Sequence, residues 1–525
     1  MSLTLTRASA SHRLVALALA ASVVFPAAAE QIELSSQPDT DLPPTELRSD
    51  DAKVYLRLDE AIEIALRRNL ALIAQRFDRA QAEKGVQQAA GIFDFNIAGD
   101  FFARDSTFPT ASQLDGATVR EDAEQNYAVT LSQLTPFGGT ASLELSNGRF
   151  ESNSTFLDLN PEYSSGSTLA FRQPLLRDFG ADVTRRGLLL ARTDRAISAE
   201  TFEQQVIGTV QEVENAYWSL VQARKQLDVS TQSLQLAQEL HERNRIRVDV
   251  GTLAPFELVQ SEAGIARREG DIIRDKAAVG DAADALLQLL NVDAGSAWDL
   301  EVVPETEPDP DEKVDLSVQE AIDTALENRS ELRRGKLEVD RLGIESHYFR
   351  NQKKPQVDLD LRYSSSGIGS SYGNANSDTL GLDFTGWRVG VSVAIPLQNR
   401  TARAQSAIAD LALDQGNVRL TQTEQEVVTD VRSAVRQLEA AARQVDAARA
   451  SRVAQEKSLE AERKRFENGM STSFQVLQIQ DDLSLAQSEE VSAVTNYRIR
   501  LADYYRAIGR LLDKEGIEID KDTEG

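Results

Sequence analysis

The chain has 525 residues, no cysteine, and 57 basic against 83 acidic residues, a formal charge of −26. Without cysteine, disulfides, thiolate metal sites and a lipid on an N-terminal cysteine are all excluded. The acidic balance disfavours nucleic acid, whose phosphates need a basic face, and in a pore it would favour cations mildly.

At the N-terminus, Arg7 and Arg13 precede the apolar run from Leu14 to Phe25, and Ala27-Ala28-Ala29 offers an A-x-A cleavage site. Residues 1–29 therefore read as a secretory signal peptide. No later segment supplies about 18 uncharged apolar residues, so no transmembrane helix is expected. An exported chain of this kind is soluble or spans a membrane as a β-barrel. Residues 30–52, with Pro43-Pro44, read as a flexible segment.

From there the chain says most things twice, and a repeat has to be explained by one architecture for both copies. Leu58-Asp-Glu-Ala-Ile-Glu-Ile-Ala-Leu66 recurs as Val318-Gln-Glu-Ala-Ile-Asp-Thr-Ala-Leu326. A strand-like stretch ending Gln173-Pro174-Leu175 recurs as one ending Ile395-Pro396-Leu397. Arg245-Ile-Arg-Val-Asp-Val-Gly251, followed by Phe256, recurs as Arg463-Lys-Arg-Phe-Glu-Asn-Gly469, followed by Phe474. The first repeat is set at 53–290 and the second at 316–512, with a linker at 291–315 and a disordered acidic tail at 513–525.

Each repeat opens with a helix, predicted over Leu56 to Ala90 in the first. Strands follow, at about 92–174 and about 355–397. Phe93, Phe95, Ile97 and Phe101 alternate with Asp94, Asn96, Ala98 and Asp100. Val357, Leu359, Leu361 and Tyr363 alternate with polar residues, as do Trp387, Val389, Val391, Val393 and Ile395. A half-buried soluble sheet gives the same period. Several such strands in an exported chain suit a barrel, apolar toward lipid and polar toward a lumen. Ala61 to Pro174 covers 113 positions and Ala321 to Pro396 covers 75, leaving the first copy 38 longer. Either the first half gives four strands against two, with Thr135-Pro-Phe-Gly-Gly139 as a tight turn, or the excess lengthens an external loop. Segments 106–124, 151–165 and 366–380 have loop composition.

Two very long helices are predicted next, over 180–247 and 398–467, each reaching about 100 Å at the α-helical rise. Val431, Val435, Leu438, Ala442 and Val445 form a heptad stripe, flanked by Ala434, Ala441 and Ala448. Val206, Val210, Val213, Tyr217 and Leu220 do the same in the first copy. Helices with two apolar seams pack into rings as well as pairs. Gly251 and Gly469 end them, and shorter helices return over 253–290 and 472–512.

Taken together, these features resemble the TolC family of outer-membrane channels, which serve multidrug efflux and type I secretion. The likeness runs from about Leu56 to Leu512. Its most specific parts are the doubled (Leu/Val)-x-x-Ala-Ile-x-x-Ala-Leu start and the doubled Arg-(x)5-Gly-(x)4-Phe turn. It implies a mixed fold: a long α-helical coiled-coil barrel continuous with a transmembrane antiparallel β-barrel, internally duplicated and trimeric. It further implies the outer membrane of a Gram-negative bacterium, with a large periplasmic portion. The implied partners are two further copies, outer-membrane lipid, a periplasmic adaptor (membrane fusion) protein and an inner-membrane RND or ABC transporter. No cofactor is implied. In such channels the periplasmic turns dock the adaptor, which points to Arg245, Gly251, Thr252, Leu253, Arg463, Gly469, Met470 and Ser471. Acidic residues often follow the turns as a gate ring. Here Glu257 stands in that place in the first copy, with plain surface solvation as its other reading. Gln475 and Gln478 replace the second copy's aspartates, and Asp481 and Asp482 lie further on.

An enzyme is not expected. The histidines, His12, His241 and His347, have no triad-like pattern around them, and there is no H-E-x-x-H or phosphate loop. The rival reading is a periplasmic coiled-coil adaptor or scaffold without a barrel, which would need no lipid-facing strands.

Overall fold

The computed structural model describes residues 48–50, 53–110, 117–292, 298, 301–309 and 317–519. The signal peptide, residues 30–47, parts of the linker and residues 520–525 lie outside the described residues.

Two sheets and a set of helices are present. Strands β1 (Arg48–Asp50) and β7 (Glu301–Pro304) flank β2 (Lys53–Leu56), the first antiparallel and the second parallel. The expected N-terminal segment and linker are thus partly strand, tied together by a pairing no local pattern announces. The expected first helix is two, α1 (Leu58–Arg68) and α2 (Leu70–Ala90). Asn69 causes the break: its Oδ1 accepts from the amides of Ala71 (3.0 Å) and Leu72 (3.3 Å), capping α2.

The second sheet is one antiparallel run of six strands in the order β3 (Asn96–Pro109), β4 (Val119–Leu134), β5 (Thr140–Ser152), β6 (Glu162–Pro174), β8 (Gln356–Gly369), β9 (Phe384–Ala394). Four strands come from the first half and two from the second. Hairpin β4–β5 supplies the extra length, its turn closed by Gly138 N donating to Thr135 O at 3.0 Å. The register carries one row across all six strands: Ile97, Leu131, Leu143, Leu169, Tyr363, Trp387. The row one residue over reads Ala98, Thr130, Glu144, Thr168, Ser364, Gly386. One face is therefore an apolar band and the other is polar, as period two requires.

Phe93 and Phe95 precede β3, because Gly91–Phe93 forms a 3-10 turn. The expected loops shrink. Residues 106–109 and 119–124 pair as strand, as do 151–152, 162–165 and 366–369. Their Ser, Thr, Asp and Glu content reflects strand continuing past the apolar band, where neither face is apolar. Beyond β8, Tyr372–Gly381 is a helix (α8) folded onto the band's own face, with Ser165 Oγ donating to Asn376 Oδ1 at 2.6 Å and Ser365 Oγ to Thr379 O at 2.9 Å.

After a short α3 (Ala181–Thr184), the long α4 (Arg186–Asp249) runs for 64 residues, about 96 Å at the α-helical rise. Its counterpart α9 (Arg400–Glu467) has 68. Helices α5 (Phe256–Leu290) and α10 (Ser473–Ala507) return beside them. Near the six-stranded sheet the helices lie in a row, α2, α4, α7 (Ser330–Gln352), α9; at the far end the row is α5, α4, α10, α9.

The doubled helix start does the same work twice. Ala61, Ile62 and Ala65 enter one core with Val206, Val210, Val213, Tyr217 and Leu220. Ala321, Ile322 and Ala325, on α6 (Val318–Asn328), enter another with Val431, Val435, Leu438, Ala441 and Val445. The expected disordered tail is partly ordered: α11 (Leu511–Lys514) packs Leu511 into the first core, with Ile517 and Ile519 against it.

That tail brings Lys514 Nζ to 3.4 Å from the buried Glu214 carboxylate. Burial pushes Glu214 up to about 7 from its ordinary 4.5, and Lys514 only partly opposes this. A carboxyl raised in the fold contributes stability when neutral, fully below about 4.5, and loses it as pH rises through 7. Glu214→Gln should therefore melt above wild type at pH 8 and close to it at pH 5. Equal differences at the two pH values would show that Glu214 titrates normally.

Candidate functional site at the helical tip

The two doubled turns lie at one end of the molecule, and the same backbone geometry builds both. Gly251 has φ +78° and Gly469 φ +72°, a region that residues with a Cβ enter only at a cost. In the first turn Gly251 N donates to Val248 O (2.9 Å) and Thr252 N to Arg247 O (2.8 Å). In the second, Gly469 N donates to Phe466 O (3.1 Å) and Met470 N to Arg465 O (2.9 Å). These bonds satisfy the last carbonyls of α4 and α9. Thr252 Oγ1 adds a bond to Arg247 O at 3.0 Å.

Contacts between residues far apart in sequence hold the turns side by side. Asn244 Nδ2 donates to Ser473 Oγ at 3.0 Å, both residues being fully buried. Arg247 donates to Phe466 O at 3.3 Å, with its guanidinium 4.8 Å from the Phe466 ring centre. Leu240, Leu459, Phe466, Val476, Leu477 and Leu483 form a small apolar core here. Further from the turns, the buried Arg268 of α5 reaches α10. It donates to Asp481 Oδ1 at 2.7 Å, to Ser233 Oγ at 2.9 Å and to Gly264 O at 3.1 Å. Burial pulls the Arg268 guanidinium down, and Asp481 acts against that. Arg267 meets the other Asp481 oxygen at 3.4 Å.

The predicted docking residues divide by role. Arg245 is exposed and pairs with Glu242 at 2.7 Å. Leu253 and Arg463 are half-buried, and Met470 is exposed. Ser471 Oγ donates to Glu462 and lies 2.9 Å from Gln475 Oε1. The doubled phenylalanines, Phe256 at 66% exposure and Phe474 at 58%, project into solvent at matching places.

The gate candidates behave differently. Gln475 caps α10 in a reciprocal pair with Thr472: Gln475 N donates to Thr472 Oγ1 (3.3 Å) and Thr472 N to Gln475 Oε1 (3.4 Å). Gln478 is exposed, and Glu257 is half-buried. Among the described residues no hydrogen bond joins these three. Asp481, further along α10, meets Arg268 instead. Sequence reasoning missed Asn244, Arg247 and Arg268, whose partners lie 229, 219 and 213 positions away. His241 Nδ1 sits 2.8 Å from Ser261 Oγ, but Ser261 is fully buried and beyond the reach of a substrate.

Residues 321–510 match the family model described as outer membrane efflux protein. Several solved structures are similar in fold. The outer membrane protein VceC from Vibrio cholerae shares 15% identity at TM-score 0.62, over 86% of this chain and 96% of its own. The CmeC outer membrane channel of Campylobacter jejuni shares 15% at TM-score 0.63, over 89% and 87%. The MtrE outer membrane channel of Neisseria gonorrhoeae, in its open state, shares 19% at TM-score 0.62, over 91% and 96%. No curated protein matches. The resemblance read from the doubled motifs is borne out.

Nothing lies within 4 Å of a Cβ added at Gly469, so backbone strain alone opposes a side chain there. Gly469→Ala should lower tip stability by about 1–2 kcal/mol, the cost of a left-handed alanine. Hydrogen exchange should quicken around 464–476 and stay unchanged in the Val431–Val445 core. Unaltered exchange at the turn would contradict the strain.

Proposed function

We propose that this chain belongs to the outer membrane efflux proteins that its residues 321–510 match, and that it is the exit channel of a tripartite efflux pump or a type I secretion system. It conducts substrate passively from an inner-membrane RND or ABC transporter across the periplasm and outer membrane. The observation that carries this reading is the six-stranded sheet with one continuous apolar face, joined to helices of about 96 Å. Lipid accounts for the apolar band, and the periplasm accounts for the helix length. A coiled-coil adaptor would need the helices but not that band, which favours the channel.

Three copies closing around an axis would place the polar sheet face toward a lumen. A periplasmic adaptor would dock on the exposed Phe256 and Phe474 and the turns at Gly251-Thr252-Leu253 and Gly469-Met470-Ser471. Its engagement would spread the tip by separating α5 from α10. The Arg268–Asp481 pair crosses that boundary with its guanidinium buried and its carboxylate partly exposed, so parting it would leave the buried guanidinium without that carboxylate.

Deleting the gene should sensitise cells to toxic solutes or stop release of a particular polypeptide, with the protein sedimenting in outer membranes as a trimer. Recovery as a dissolved monomer without conductance in planar bilayers would reject the channel. Arg268→Ala should raise entry of large antibiotics in cells and conductance in bilayers, while Arg274→Ala, an exposed change on the same helix, should leave both unchanged. Wild-type conductance in a correctly assembled Arg268→Ala trimer would remove this pair from gating.

A further inference from the structure

The six-stranded sheet is open. Its order ends at β3 on one side and β9 on the other, and the two end strands do not pair with each other. Both ends carry the apolar band: Ile97 is 73% and Phe101 69% exposed on β3, and Trp387 is 70% exposed on β9. A strand edge in hydrocarbon leaves amides and carbonyls with no partner, at several kcal/mol for each group. The exposed band and the open edges are therefore incompatible unless another chain supplies the missing ladder.

The edges fit copies of this chain. With six antiparallel strands, β3 runs away from the helices and β9 runs toward them. The β9 of one copy thus meets the β3 of the next in antiparallel sense, with both apolar bands outward and all helices at one end. The helical rows end on the same flanks: α2 leads into β3 on one side, and α9 follows β9 on the other. Ile408, Leu411 and Val418 lie exposed on α9, as Leu70 does on α2. One flank thus carries a strand edge and a helix edge, complementary in order to the other flank. A head-to-tail contact of this kind generates a closed ring when its rotation closes.

The register gives the tilt of the wall. From β3 to β9 the centre of the apolar band moves toward the helices by about one residue per strand, so the strands lean about 35° from the membrane normal at sheet spacings. That is a barrel wall rather than a flat sheet.

We propose that, where copies close a shared barrel by β9–β3 pairing, hairpin β4–β5 stands in the wall and brings the strand number to eighteen. This rests on the three-copy reading above. Without that hairpin, each copy would give one hairpin per repeat and the ring twelve strands. Since barrel diameter grows roughly linearly with strand number, the hairpin widens the exit by about half. The membrane barrel is then wider than its four-helix rows require, and the limiting aperture lies at the helical tip. Bulky solutes from the cell surface enter the barrel and stop below it.

The absence of cysteine makes the test direct. Val391→Cys would be combined in turn with Ile97→Cys, Gly99→Cys and Phe101→Cys, three outward-facing registers. Oxidation should link neighbouring subunits in at least one pair, giving a dimer-to-trimer ladder. A trimer that forms no link in any of the three registers overturns the edge pairing, whereas failure to find a trimer rejects the parent reading instead. Separately, Ser392→Cys, on the polar face, would be labelled from outside the cell by maleimide polymers of graded size. Deleting residues 119–152 should lower the largest reactive polymer radius by about a third, the ratio of twelve strands to eighteen. An unchanged limit in a trimeric deletion variant places β4–β5 outside the wall.

Discussion

In the proposed channel, backbone hydrogen bonding in hydrocarbon is the governing constraint. A strand in lipid must be paired on both sides, and no side chain can substitute for the missing ladder. Within the chain, β4, β5, β6 and β8 meet that requirement and β3 and β9 meet it on one side only. On the proposed reading these edges leave the single copy incomplete, and a surface of the same kind with the opposite strand sense would complete it. The helices inherit this geometry, since each strand pair ends where a helix begins.

The alternation along the strands and the seams along the helices answer one another at that junction. On the strands the period is two, and the row from Ile97 to Trp387 lies on one face while the row from Ala98 to Gly386 lies on the other. On the helices alternate steps of four and three bury Val431, Val435 and Leu438 in one core. Neither period leaves room for a soluble globular core around the six-stranded sheet. Ile97, Phe101, Trp387 and Val391 on the strands are exposed, whereas Val431, Val435 and Leu438 are buried among helices.

Periodicity made most of the architecture legible. The heptad stripes, the glycine turns and the doubled helix starts are local patterns, and the structure uses each where it was read. What stayed hidden was non-local or polar. Strand β7 pairs with β2 across almost the whole first repeat, and no short window of sequence contains that information. The Ser-rich and Thr-rich strand ends were read as loops because composition cannot distinguish a turn from a strand polar on both faces. Asn69 falls inside the helix expected over Leu56 to Ala90, and its cap on Ala71 and Leu72 is what marks the break. At the tip, the glycines were legible because positive φ selects them. Arg268 was not, since one arginine in an acidic, arginine-rich chain carries no signal until its partner is placed.

In the proposed channel, the distribution of packing would let the tip open while the rest stays fixed. Around the small sheet, two cores interlock through α4, α9, the helix starts and the ordered tail, with Trp218, Tyr217, Leu286 and Leu501 all wholly buried. At the tip, six apolar side chains form the buried core, supplemented by the Asn244, Arg247 and Arg268 contacts. Local opening free energy follows buried apolar contact, so the tip is the part that separates at least cost. A polar link such as Arg268–Asp481 suits that place better than further apolar packing would. Its geometry is restored when the helices return to register, and once parted its charges can be solvated where an exposed apolar surface could not.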